Sequence, residues 1–214
     1  MAARILGVAT SSSAPGWNVK VTRPDRLNDI DPGWAAADDR TLVRECVDGR
    51  RSAFDLLVER HRHHVYQLCY RFVGNHEDAS DLAQETFIRA YRALGGFKGQ
   101  SAVGTWLYRI AVNLCLNHVS ARTPGIERLE LREHVDVRGE PADAVLARQQ
   151  RAAEVRAAIA RLPKKQRATL VLRVYHELPH EQIAGILGSS VGAVKANFFH
   201  ALANLKTLLK DAER

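Results

Sequence analysis

Apolar residues begin to recur at helical spacing near residue 39 and keep that spacing, with one long interruption over 123–143, almost to the C-terminus. Leu42, Val43 and Cys46 open the pattern. Phe54, Leu56 and Leu57, then Val65, Leu68, Cys69 and Phe72, continue it in the three- and four-residue steps that stack side chains on one helix face. Gly74-Asn75 breaks the run, and Asp78 and Asp81 bring carboxylates to the start of a new helix, where the positive end of the dipole favours them. On that helix Ala83, Phe87, Ala90 and Leu94 form one buried stripe, and Gly95-Gly96 predicts its end through a glycine C-cap. Beyond the loop 97–104, a further helix is predicted over 105–121, with Trp106, Ile110, Val112 and Leu116 among its apolar positions, stopped by Thr123-Pro124-Gly125. The pattern resumes at Ala144, where Pro163, Pro179 and Gly188 divide the remainder into about four helices. No strand alternation competes with this reading, so the predicted fold class is all-α, with two helical domains over 39–122 and 144–214.

The two segments that lack this period, one before residue 39 and one between the predicted domains, differ in character. Residues 1–38 carry Pro15, Pro24, Pro32, three glycines and Ser11-Ser12-Ser13 without an apolar period, which predicts a flexible extension. Residues 123–143 carry Glu127, Glu130, Glu133, Asp136, Glu140 and Asp143 against Arg128, Arg132 and Arg138, with Gly139 and Pro141, which predicts an acidic flexible linker.

Composition changes the picture in three places. A hydrophobic fraction of 46% is enough to bury a core, yet no apolar run approaches the roughly 20 residues that span a bilayer. The apolar start of the chain ends at Ser11, too short for a secretory signal, so a cytoplasmic protein without membrane insertion is expected. The net charge of +7 favours a polyanionic partner through phosphate neutralisation. Cys46, Cys69 and Cys115 are widely spaced, odd in number and set among apolar helical positions, so they read as core packing and not as a disulfide framework or a zinc knuckle.

The most informative stretch runs from Pro179 to Lys195. Pro179 suits the first turn of a helix, Ile183, Ala184 and Leu187 form its inner face, and Gly188 ends it. Ser189 or Ser190 can N-cap a second helix, whose inner stripe is Val191, Val194, Phe198, Leu202 and Leu205. That is the arrangement of a helix-turn-helix, with a DNA-binding function. Its outward positions include Ser190, Lys195, Ala196, Asn197, Phe199 and His200. Phe199 cannot share the buried direction of Phe198: it is either an exposed group for thymine methyls or a second core contact. Asn197 and His200 suit base edges, and Lys195 suits phosphate. His176-Glu177-Leu178-Pro179-His180 matches the string of zinc proteases, but Pro179 disfavours the continuous helix that zinc ligation needs. His61-Arg62-His63-His64 reads as a solvated or phosphate-facing segment. No metal, no cofactor and no enzymatic nucleophile is expected.

Asp78-Ala79-Ser80-Asp81-Leu82-Ala83-Gln84-Glu85-Thr86-Phe87-Ile88-Arg89-Ala90-Tyr91 closely resembles the core-polymerase-binding segment of bacterial sigma factors. Phe97-Lys98-Gly99 and Thr105-Trp106-Leu107-Tyr108-Arg109-Ile110-Ala111-Val112-Asn113 resemble the segment that melts and reads the −10 element, and the tail resembles the −35-reading helix-turn-helix. The order and spacing of the set, over residues 39–209 without an intervening domain, are similar to the two-domain extracytoplasmic-function group. The resemblance implies a non-enzymatic subunit that binds the clamp helices of the largest subunit of core RNA polymerase, reads promoter DNA and is held by an anti-sigma factor. It assigns Asp78, Asp81, Gln84 and Glu85 to polymerase, a surface that on residues alone reads as a solvated helix face. It assigns Phe97, Lys98, Trp106, Tyr108, Arg109, Asn113 and Arg122 to the −10 region, although the residues themselves favour Trp106 as a core anchor. The chain departs from the family at Asn197, Phe199, His200 and Leu202, where arginines are frequent, and at Asn117, where aspartate is common; the extension 1–38 has no family counterpart. Competing readings are an autonomous helix-turn-helix regulator and a helical scaffold or anti-sigma partner that touches protein only.

Overall fold

The computed structural model describes Trp34, residues 36–121 and residues 142–212, so the linker 123–143 lies almost wholly, and the extension 1–38 largely, outside the described residues. The first half contains α1 (Asp39–Val47), α2 (Ser52–Val73), α3 (His76–Ala93), a 3-10 turn (Leu94–Gly96) and α4 (Val103–Ala121). The second contains α5 (Ala142–Ala160), α6 (Lys164–Val174), α7 (His180–Leu187) and α8 (Val191–Ala212). All regular structure among the described residues is helical, as the periodicity predicts.

Helix α2 is the spine of the first half, packed by α1, α3 and α4. Leu57, Val65, Leu68, Cys69 and Phe72 on α2 meet Ala83, Phe87 and Ala90 on α3 and Leu107, Ala111 and Cys115 on α4, all buried. Burial of each large side chain contributes about 1.5–3 kcal/mol. Gly74 ends α2 at φ 79, a conformation that strains any residue with a Cβ, and the Asn75 side chain accepts the Asp78 N–H to start α3. Helix α3 does not end as predicted. Leu94 is right-handed, and the helix tightens into a 3-10 turn through Gly95 and Gly96, which keep ordinary backbone angles. Helix α4 starts at Val103, two residues earlier than its polar flank suggests.

The folded region also begins before residue 39. Asp38 caps α1 by accepting the Thr41 N–H at 2.8 Å, Trp34 packs against the core, and Arg60 donates to the Trp34 and Ala37 carbonyls. The end of the predicted extension is thus part of the first half, because a tryptophan this close to α1 finds apolar surface to cover.

In the second half α8 lies against α5, α6 and α7. Val194, Ala201 and Leu205 of α8 are buried, as are Ile183 and Ile186 of α7 and Leu170 and Leu172 of α6. The halves touch: α4 packs on α7, and α2 on α5 and α6. Arg167 of α6 lies at this junction, 4% exposed, donating to Ile159 O at 3.1 Å within its own half and to Phe72 O at 3.0 Å at the C-terminal end of α2. A cation there complements the negative end of the α2 dipole.

Candidate functional site

Three surfaces carry the residues singled out in the sequence. On α3, Asp81 and Gln84 are exposed and Glu85 is half-buried, off the inward Ala83–Phe87–Ala90 stripe. Glu85 accepts from Arg89 Nε at 2.7 Å, a helical i,i+4 pair. Asp78 is different. Its backbone N–H and carboxylate both engage Asn75, and His118 Nε2 stands 3.4 Å from the carboxylate, so much of its capacity is spent on starting the helix. Beside this row runs a groove of about 420 Å³ whose lining includes Phe54, Val58, Gln84, Ile88 and Tyr91. Ile88 and Tyr91 are 39% and 44% exposed, unusual for large apolar groups, and Tyr91 meets Phe54 edge-on at 5.0 Å between ring centres. Sequence reasoning passed over both; the available signal was their position off the α3 stripe.

The second surface is the loop after the 3-10 turn with the first turns of α4. Phe97 stacks obliquely on Trp106, centroids 5.0 Å apart, and Gly99 turns the loop at φ 67 while its carbonyl accepts from Arg40. Trp106 both packs against the core and lines a cavity of about 380 Å³ together with Phe97, Lys98, Ser101 and Arg109, so its two readings are compatible. Arg109 and Asn113 are exposed one turn apart. Tyr108 faces the other half of the chain, its hydroxyl 3.1 Å from His176 Nδ1. Burial pushes the Tyr108 phenol up to about 12, and pulls His176 down to about 4, with His64 and Arg71 adding to the latter. Both groups are therefore neutral near pH 7. Arg122 lies outside the described residues.

The third surface is built by α7 and α8. Gly188 ends α7 at φ 58, Ser189 N–H returns to Ala184 O at 3.0 Å, and Ser190 Oγ accepts the Ala193 N–H at 3.2 Å. Pro179 sits at the N-cap position, one place before the expected first turn. Val194 is fully buried and Val191, Phe198 and Leu202 partly so, which sets the face of α8. Opposite them Lys195, Ala196, Phe199 and His200 are exposed, Phe199 at 70%, and Asn197 is half-buried at the flank. Phe199 is thus an outward group and not a second core contact.

The histidine strings are occupied otherwise. His176 follows the end of α6, Glu177 has φ 53 and His180 begins α7, so the two histidines share no helix. His61 Nε2 pairs with Asp39 Oδ2 at 2.7 Å, and His63 with Gln67. Cys69 and Cys115 are fully buried; their mutual hydrogen bond, then burial, holds the Cys115 thiol well above its usual range. Half-buried Cys46 is pushed up to about 11 by burial, with Asp55 and Glu45 adding to it, so it too stays a thiol.

A row of exposed carboxylate and amide on α3, an aromatic loop leading into α4 and a capped helix-turn-helix thus follow one another along the chain. Residues 57–124 match Sigma-70 region 2, and residues 152–205 match Sigma-70 region 4. RNA polymerase sigma-H factor of Pseudomonas aeruginosa is 38% identical across 81% of this chain and 97% of its own length. The chain belongs to the extracytoplasmic-function sigma factors of RNA polymerase. The ECF RNA polymerase sigma factor SigW of Bacillus subtilis is 34% identical over 79% of this chain and 95% of its own. Among solved structures, CnrH in complex with the cytosolic domain of CnrY superposes with a TM-score of 0.62 at 27% identity, covering 82% of this chain and 99% of that one. As a sigma factor the chain acts with RNA polymerase in promoter-specific initiation, its two helical halves corresponding to regions 2 and 4. Among the described residues no helix is long and apolar enough to cross a membrane.

Proposed function

We propose that the sigma factor docks core polymerase through Asp81, Gln84 and Glu85 of α3, with Asp78 behind them, reads and melts the −10 element with loop 97–104 and α4, and reads the −35 element with α8. The observation that carries this division is the exposed polar row on α3, separate from both the aromatic loop and the outward face of α8. Basic groups on the clamp helices of the largest subunit would complement these carboxylates. Phe97, Trp106 and Lys98 suit the capture of an unstacked base, since the cavity there is walled by aromatic rings beside a cation. Arg109, Asn113 and Arg122 suit phosphate or base edges, and Tyr108 reaches DNA only when its contact with His176 is broken. On α8, Lys195 serves phosphate, Phe199 a thymine methyl, and Asn197 and His200 base edges, with Ser190 and Ala196 at close approach.

The protein works in the cytoplasm without catalytic chemistry of its own. The complex of the similar CnrH with the cytosolic domain of CnrY supports a protein partner for this chain also, an anti-sigma factor. Run-off transcription with purified core polymerase on genomic fragments tests the whole reading. Defined transcripts that require the added chain are expected. DNA binding without polymerase, and no transcripts, would instead indicate an autonomous regulator.

A further inference from the structure

Loop 97–104 is held near both of its ends by side chains of α1 and α2. Gly99 has no side chain to anchor, and its carbonyl takes that part, accepting from Arg40 Nη2 of α1 at 3.2 Å while the backbone turns at φ 67. At the far end, Gly104 in the first turn of α4 abuts the His61 ring of α2: a Cβ at that position would stand 3.5 Å from His61 Cε1.

Arg40 and His61 are joined through Asp39. A carboxylate only accepts, so His61 Nε2 carries the proton and donates to Asp39 Oδ2 at 2.7 Å, while Arg60 Nη1 donates to Oδ1 at 3.0 Å. Both His61 and Asp39 are half-buried, which limits competition from water. Arg60 also donates to the Ala37 and Trp34 carbonyls, and Asp38 caps α1 through the Thr41 N–H. The start of α1 is thereby fixed to the middle of α2, and together they brace the loop at two points.

Between those points lies the cavity whose lining includes Phe97, Lys98, Ser101 and Trp106. Trp106 is set by the core beneath it, and its N–H bonds Ala102 O at 3.1 Å. Phe97 and Lys98 ride on the loop, so their distance from Trp106 follows the position at which Gly99 and Gly104 are held. A site discriminates between bases only when its walls keep their geometry to within about 0.5 Å.

Resting on the functional reading above, we propose that Asp39, Arg40 and His61 are positioning residues for −10 reading: without touching a base, they set the selectivity of the loop by fixing Gly99 and Gly104 on either side of the pocket.

The test uses the full chain in run-off transcription with core polymerase. The templates are a pool randomised at the −10 positions of one promoter mapped with the wild type, and sequencing of the transcripts reads base preference. Arg40→Ala and His61→Ala are expected to flatten that preference at least about threefold, the lower end of what one lost hydrogen bond costs. Arg40→Lys, which keeps a donor of similar reach, should restore it, and Asp39→Ala should add nothing to His61→Ala. A uniform fall in yield with preference intact would make Arg40 a phosphate contact and overturn the proposal. A second arm needs no polymerase. Hydrogen exchange of the free chain should be at least about threefold faster over residues 97–106 in Arg40→Ala and His61→Ala, with residues 79–90 of α3 unchanged. Unchanged exchange over 97–106, or equal acceleration in α3, overturns the positioning role. Arg40 is exposed, so its variant keeps the fold even where His61→Ala does not. Absence of transcripts with the wild-type chain would count against the sigma-factor roles and leave the exchange arm to decide whether the brace holds the loop.

Discussion

Glu85→Lys separates a docking role from a structural one, because the structure sets the two effects at different sizes. In the free chain Glu85 pairs with Arg89 across one helical turn, the two side chains 39% and 53% exposed. An exposed pair of this kind contributes about 0.3–0.5 kcal/mol, and a like-charge Lys–Arg pair in its place costs a similar amount. Folding thus loses no more than about 1 kcal/mol, small against the roughly 5–15 kcal/mol of a typical domain. At a desolvated interface with a basic partner, the same reversal costs about 2–5 kcal/mol, or roughly 30-fold to several-thousand-fold in affinity. Fluorescence titration of labelled sigma factor with core polymerase measures the second quantity, and urea unfolding of the free chain measures the first. The expected result is a nearly unchanged urea midpoint with at least a ~30-fold weaker complex. A variant that binds polymerase as tightly as wild type would remove Glu85 from the interface, and equal losses in both assays would make its role structural.

Phe199→Ala should leave stability unchanged, since the ring is 70% exposed, yet weaken promoter binding by ~1 kcal/mol in a −35-dependent way; equal losses on native and −35-scrambled promoters would refute the contact. Arg167→Met should lower unfolding free energy by about 2–4 kcal/mol, because it leaves the Phe72 and Ile159 carbonyls without this donor; urea denaturation reads it. Ser190→Ala, which removes the α8 cap, should cost about 1 kcal/mol in the same assay. The packing of the halves on one another should also loosen in acid. His176 is depressed to about 4 where the halves meet, facing His64 and Arg71 of α2 and Tyr108 of α4, so this packing favours the neutral ring. Its contribution is complete above about pH 6.5 and falls as pH drops from there through 4, by on the order of 3 kcal/mol in all. Scattering between pH 7.5 and 5 should show expansion in wild type and a weaker response in His176→Ala.

Much of this molecule is written in local periodicity. The Ala83–Phe87–Ala90–Leu94 stripe, the glycine stops at Gly74 and Gly188 and the Ser190 cap depend on neighbours within a few residues, and all are where the sequence puts them. The outward turn of Phe199 follows equally from the stripe through Val194 and Phe198. The end of α3 departs from the glycine signal because glycine pairs permit a left-handed cap without requiring one, and buried Leu94 sits in a 3-10 turn instead. Trp34 joins the core although the sequence pattern sets it in the extension, because one aromatic carries no period.

What the sequence by itself determined is the set of helices, their inward faces and the resemblance that names their roles, since each rests on spacing along one element. Only the tertiary structure decided that Tyr108 turns to His176, that Asp78 is engaged by Asn75 and His118, and that Arg167 is buried between α6 and α2. The Tyr108 and Arg167 pairings join residues 68 and 95 positions apart, a separation at which helical periodicity holds no information and the packing of one half on the other sets every partner.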